Sequence, residues 1–308
     1  MKERGVSLGS AVETVNGKIA TKIGGSAADY AISRAIANID ERVRDRLIAA
    51  SFGYILQFGR GNGLKTARAK SAFRKWTDCW YTGKPGPFAE YVAGVLDGFN
   101  RKHLNIESLQ DGPGLLLVNH PDGPLQGNWF TFALDEAVVQ RFGDFRSAPR
   151  WFHKKHSDNP FLENTSLKII RHRYSELLSR TCNTFLIDRN LQNNRKVIEE
   201  ARKYLGSGEK VVLCYEGQKA RVLTRARSGI GFLIRAVTRG ADVPVYPVGA
   251  WAHGDNLNLA FGQPVDLSNN QKNRQLAHYL VGQIACLLPE DRRGYYRRYA
   301  ERYIDKYQ

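Results

Sequence analysis

The first hundred or so residues carry apolar positions at helical spacing. Val12, Val15, Ile19 and Ile23 follow a step of three and four, and past Gly24-Gly25 a second stripe repeats it through Ile32, Ile36, Ile39, Val43 and Leu47. This predicts a mostly helical region over 1–110, with no convincing strand before 108. The texture changes after Asp111-Gly-Pro-Gly114. Short apolar runs, LLLV (115–118), TFLI (184–187), VVLCY (211–215) and VPVYPVG (243–249), now alternate with helical patterns at 126–142, 191–206 and 229–239. A further strand is expected within 255–267, an amphipathic helix over 270–288, and a surface-lying tail from Pro289. Alternation of this kind predicts βαβ crossovers. The expected fold class is therefore α/β, a largely parallel sheet with helices on both faces over 111–308, ending in a basic tail and preceded by the helical region.

Composition narrows the partners more than the fold. The chain has 308 residues, 42% hydrophobic and 25% charged, which excludes disordered, collagen-like and disulfide-scaffold classes. No apolar run approaches the roughly 20 residues that cross a bilayer. The opening MKERGVSLGSAVETV lacks the apolar core of a signal peptide, and the four cysteines (Cys79, Cys182, Cys214, Cys286) show no CxxC spacing. Both fit a reducing cytoplasm and argue against zinc or disulfides. Lys and Arg number 46 against 30 Asp and Glu, a formal charge of +16. A field of that sign draws polyanions, and without a membrane span it favours peripheral, salt-sensitive attachment to an anionic membrane surface. No helix-turn-helix, RNP or zinc signature is present, so nucleic acid is not the expected partner. WFHKKH (151–156) reads as a basic, solvated segment, and the run from Arg60 to Lys75, with six basic residues and no acid, reads as a solvated helix face or an anion-facing surface.

In open α/β sheets functional residues collect past the carboxyl ends of strands. That rule singles out Asn119-His120, Asp188-Arg189, Glu216-Gly217 and Pro247-Val248-Gly249. These stand in four blocks: VNHPDGPLQG, FLIDR, CYEGQKAR and VPVYPVGAW, with GIGFLIRA between the last two. In this order they resemble the glycerolipid acyltransferase superfamily, whose best-known members acylate glycerol-3-phosphate and 1-acylglycerol-3-phosphate. The resemblance covers about 115–267, half the chain. It implies an O-acyltransferase of phospholipid biosynthesis that uses acyl-CoA or acyl-carrier protein as donor and needs no other cofactor and no metal. The acceptor would be a lysophospholipid or glycerol phosphate.

An alcohol attacks a thioester only once a base takes its proton, and His120 suits that role. The acceptor phosphate needs a cation, for which Arg189 is placed, with Arg221 or Lys219 as second candidates. Backbone N–H groups in the Gly123 or Gly217 turns would meet the oxyanion. By resemblance, Asn119 and Glu216 line the same pocket. The family also carries an Asp at the fifth or sixth residue after the His, which steers the imidazole. Here those positions hold Leu125 and Gln126. Either Gln126 or Asp122 is left to orient His120, and a non-catalytic lipid-binding relative is the alternative expectation. Block three departs too, with Tyr215 in the place of the usual Pro and no Thr after Gly217.

Overall fold

GLLLV at 114–118 and KVVLC at 210–214 are apolar at nearly every position, and such runs persist only where helices cover both faces of a sheet. The computed structural model describes residues 64–82, 88–121, 126–143, 148–154, 184–188, 194–216, 220–240, 243–265, 267 and 272–304, and it supplies that cover. In chain order the elements are α1 (Ala67–Thr82), α2 (Phe88–Val95), β1 (Asn100–Leu104), β2 (Gly114–Val118), α3 (Gln126–Phe142), β3 (Arg150–Lys154), β4 (Thr184–Ile187), α4 (Arg195–Gly206), β5 (Lys210–Cys214), α5 (Ser228–Thr238), β6 (Val245–His253), β7 (Asn256–Phe261), α6 (Asn273–Leu287) and α7 (Arg297–Tyr303). The seven strands form one sheet in the order β1-β7-β6-β2-β5-β3-β4. Strands β2 to β6 run parallel. β7 returns antiparallel to β6 and pairs with β1 at the edge.

Alternation along the strands divides the interior into two cores. Leu116, Val118, Val212, Tyr246 and Val248 face the layer of α1, α2 and α3, where Phe73, Val95, Trp129, Leu134 and Val138 pack. Leu115, Leu117, Val211, Leu213 and Val245 face the layer of α4 to α7, with Ile198, Leu205, Leu233, Ile234, Leu280 and Ile284. Each leucine buried this way contributes about 1.5–3 kcal/mol. Helix α3 is buried almost all round, so its two carboxylates are matched inside. Trp151 Nε1 donates to Asp135 at 2.7 Å, and Arg101 pairs with Glu136 at 2.8 Å. At the α5–α6 crossing Gly231 is required, because a Cβ there would collide with the Asn273 carbonyl.

This layering creates a topological switch point. The connection leaving β2 runs through α3 on one face towards β3, whereas the one leaving β5 runs through α5 on the other face towards β6. β2 and β5 are neighbours, so a crevice opens between their carboxyl ends, where ligands bind in sheets of this kind.

Four sequence expectations match closely: the strands at 115–118, 184–187 and 211–215, and the helix at 126–142. Three need correction. The region before 108 does hold a strand, β1, whose polar NRKHL survives because it is an edge strand with its first three residues exposed. WFHKKH is not wholly solvated, since Trp151 and Phe152 are buried in β3. The tail is more than surface-lying, because Tyr296 and Ala300 are buried. The two N-terminal stripes lie outside the described residues. Among the described residues no helix is long and apolar enough to cross a membrane.

Candidate active site

Register decides which residues meet in the crevice. Val118 stands beside Cys214, so the next two residues of each chain, Asn119-His120 and Tyr215-Glu216, emerge side by side. Tyr215 N–H extends the ladder to the Val118 carbonyl at 3.1 Å. Asn119 then turns its side chain onto β6, its Nδ2 donating to the Ala250 carbonyl at 2.8 Å and its Oδ1 accepting Ala250 N–H at 2.7 Å. A side-chain amide thus imitates a strand and fastens the end of β2 to β6.

The main chain of His120 is held at both its polar groups. Its N–H donates to Glu216 Oε2 at 2.7 Å, and its carbonyl accepts Ala220 N–H at 3.1 Å. Pro121 and Ala220 form a parallel bridge, so the segment following Glu216 returns to lie beside the His120 turn. The other carboxylate oxygen, Oε1, accepts the Tyr215 hydroxyl at 2.6 Å, while that hydroxyl accepts Thr224 N–H at 3.2 Å. Glu216 therefore couples the His120 backbone to the basic loop.

Burial pushes the Glu216 carboxyl up to about 7, against the opposing pull of its bonds from Tyr215, His120 and Thr224. Charge repulsion and desolvation act together on its neighbours. Tyr215 is pushed far above the ordinary phenol range, and the Cys214 thiol is pushed up to about 12 by burial first and Glu216 second. Cys214 is consequently a protonated, inert thiol at neutral pH and no nucleophile.

The loop 220–227 is braced from the C-terminal tail. Leu223 N–H donates to the Arg292 carbonyl at 3.0 Å, Tyr295 N–H donates back to the Leu223 carbonyl at 3.0 Å, and the Arg292 guanidinium reaches the Arg221 carbonyl at 3.3 Å. The Tyr296 hydroxyl accepts Ala226 N–H at 3.0 Å and bonds His278 Nδ1 at 2.7 Å. Gly294, at φ +47°, permits this approach, since a Cβ there would strike the Leu223 carbonyl oxygen. Two openings flank the loop. One is a small cleft lined by Asn119, Pro121, Arg221, Trp251 and Arg292 among others; the second is a more open pocket of about 230 Å³ lined by Tyr215, Glu216, Thr224, Arg225 and Arg227.

The structure brings together Asn119, His120 and Glu216, with Arg221 on the adjoining cleft. Asp188 follows β4 directly, where Asn194 holds it through bonds of 2.6 and 2.8 Å, two strands from β5 and so about 10 Å along the rim. Gln126 is the first residue of α3. Asp122, Gly123, Leu125, Arg189, Gly217 and Lys219 lie outside the described residues. Sequence reasoning missed Tyr215, Thr224 and Tyr296 as parts of this network. The only available signal was the aromatic residue standing where a proline was expected. Among the described residues, no three His, Cys, Asp or Glu side chains gather as around a metal ion.

No protein-family model matches the chain, and no curated protein matches it. Among solved structures it is similar to the 1-acyl-sn-glycerophosphate (LPA) acyltransferase PlsC from Thermotoga maritima. The identity is 14%, the match covers 78% of this chain and 94% of that one, and the TM-score is 0.35.

Proposed function

We propose that the protein transfers an acyl group from a thioester, acyl-CoA or acyl-carrier protein, to the hydroxyl of a glycerol phosphate or lysophospholipid, as a step of phospholipid synthesis. One observation carries the reading. The Asn-His and Glu-Gly blocks leave adjacent strands at the switch point of the sheet, and Glu216 holds the His120 backbone at 2.7 Å. With N–H and carbonyl both committed, the His120 main chain is fixed at the carboxyl end of β2, which supports a role for its ring in the crevice.

In this reading the imidazole takes the acceptor's hydroxyl proton, and the alkoxide attacks the thioester carbonyl. The tetrahedral intermediate collapses with the new C–O bond made and the C–S bond broken, and the imidazolium returns its proton to the departing thiolate. Glu216 is a positioning residue that acts through the His120 backbone. Asn119 keeps the strand end in register. Arg221 borders the cleft and suits the acceptor phosphate, with Arg189 or Lys219 as the other cations for that task. Backbone N–H groups of the Gly123 or Gly217 turns serve the oxyanion.

A second reading is a lipid-binding protein without turnover. Gln126 favours it, because an amide at that place does not stabilise imidazolium as a carboxylate does. The deciding experiment offers labelled acyl-CoA and acyl-carrier protein with glycerol-3-phosphate and a panel of lysophospholipids. An acylated product that depends on the protein supports the enzyme. Retention of lysophospholipid with no product from any pair supports the second reading.

A further inference from the structure

The loop and the tail that brace one another leave a small apolar tip in the open. Val222 is 39% exposed and Tyr295 59%, two of the four large hydrophobic side chains left so open among the described residues. They stand on facing segments, and the space between is so tight that a Cβ on Gly294 would lie 3.0 Å from Val222 Cβ. Arg221, Arg225 and Arg227 stand on the same loop as Val222, all exposed and none with a carboxylate partner among the described residues. The Arg225 guanidinium lies 5.8 Å from the centre of the Tyr295 ring. The carboxylates nearby in sequence are already engaged, Glu290 by Arg297 and Asp291 by Arg292. Arg225 and Arg227 also line the pocket that contains Glu216.

We propose that this tip is the surface by which the protein docks on an anionic lipid bilayer. Val222 and Tyr295 enter the headgroup layer while Arg225 and Arg227 rest on lipid phosphates. The inference rests on the acyltransferase reading for its purpose, since it opens the site onto the layer where a lysolipid acceptor resides. Tyrosine suits that position because its ring is apolar and its hydroxyl stays wet. A bilayer fits better than an acidic protein. A specific protein interface buries about 800 Å² per partner around a packed apolar core, and two apolar side chains on an arginine-bearing loop fall short of that core. They suffice for interfacial attachment, where apolar insertion and attraction to anionic lipid add.

The test is sedimentation of the full chain with phosphatidylcholine vesicles, with and without phosphatidylglycerol, in the absence of acyl donor. Binding is therefore read independently of catalysis. Wild type is expected to bind the anionic vesicles and to be released by high salt. Arg225→Gln with Arg227→Gln is expected to weaken binding by about 25-fold, at about 1 kcal/mol or fivefold per arginine. Val222→Ser with Tyr295→Ser, both at exposed positions, is expected to weaken it several-fold while circular dichroism stays unchanged. Both variants binding like wild type would overturn the proposal. So would variants that keep vesicle binding but lose binding to an acidic acyl-carrier protein. Loss of vesicle binding with acyl transfer absent even in wild type would sustain the docking surface and refute the enzymatic reading alone.

Discussion

Glu216→Gln isolates the most unusual electrostatic feature of the site. The wild-type carboxyl titrates at about 7 in the folded protein against 4.5 as a free side chain, because burial outweighs its three hydrogen bonds. Below pH 4.5 the group is protonated in both folded and unfolded chains and has no effect on their balance. As pH rises from 4.5 to about 7, the unfolded chain releases this proton and the folded protein retains it, so stability falls. Above about 7 both forms are ionised and the loss is complete. At about 1.4 kcal/mol per pH unit, the full loss is about 3.5 kcal/mol. Glutamine is neutral throughout. Its oxygen still accepts His120 N–H, and its amide is able to donate to the Tyr215 oxygen. Denaturant unfolding of both proteins, followed by tryptophan fluorescence at pH 5 and pH 8, measures the effect. The variant's stability relative to wild type should rise by about 2.5 kcal/mol between those two values. Parallel pH profiles would refute the burial argument.

Three further substitutions probe the same framework. Asn119→Ala strands the buried N–H and carbonyl of Ala250 and should cost about 2–6 kcal/mol in chemical denaturation, at about 1–3 kcal/mol per unmet group. Tyr215→Phe removes a bond that favours the ionised Glu216 carboxyl, so the upper end of the pH range over which stability falls should move above about 7, as denaturant unfolding against pH would show. Gly294→Ala puts a Cβ against the Leu223 carbonyl at φ +47° and should cost about 1–3 kcal/mol. It should also speed amide exchange at Leu223 and Ala226, whose N–H groups the tail receives; unchanged exchange there would contradict the brace.

Much of the sheet was legible because its central strands are apolar on both faces, and Leu115–Val118 and Val211–Cys214 have no other place to go. β1 was not legible. Asn-Arg-Lys-His-Leu pairs with β7 at an exposed edge, where strand formation depends on the partner rather than on alternation. β3 was hidden for a related reason, its buried Trp151 and Phe152 being flanked by Arg150 and by His153-Lys154. The site was legible as chemistry and not as connectivity. Strand ends pointed at His120 and Glu216, but only the register of β2 on β5 brings the carboxylate to the His120 N–H. The tail was misjudged because Tyr295 and Tyr296 are adjacent and alike in composition. One lies in the open, while the other is an internal hydrogen-bond anchor.

The central claim is that His120 acts as general base in acyl transfer, and its most direct test is kcat/KM of wild type against His120→Ala. Both are assayed with the donor and acceptor pair that gives product, over a range of pH. The account predicts a loss of about 10²–10⁴-fold in the variant, the usual contribution of a positioned base, with thermal unfolding little changed. A variant that transfers acyl groups as fast as wild type would contradict it.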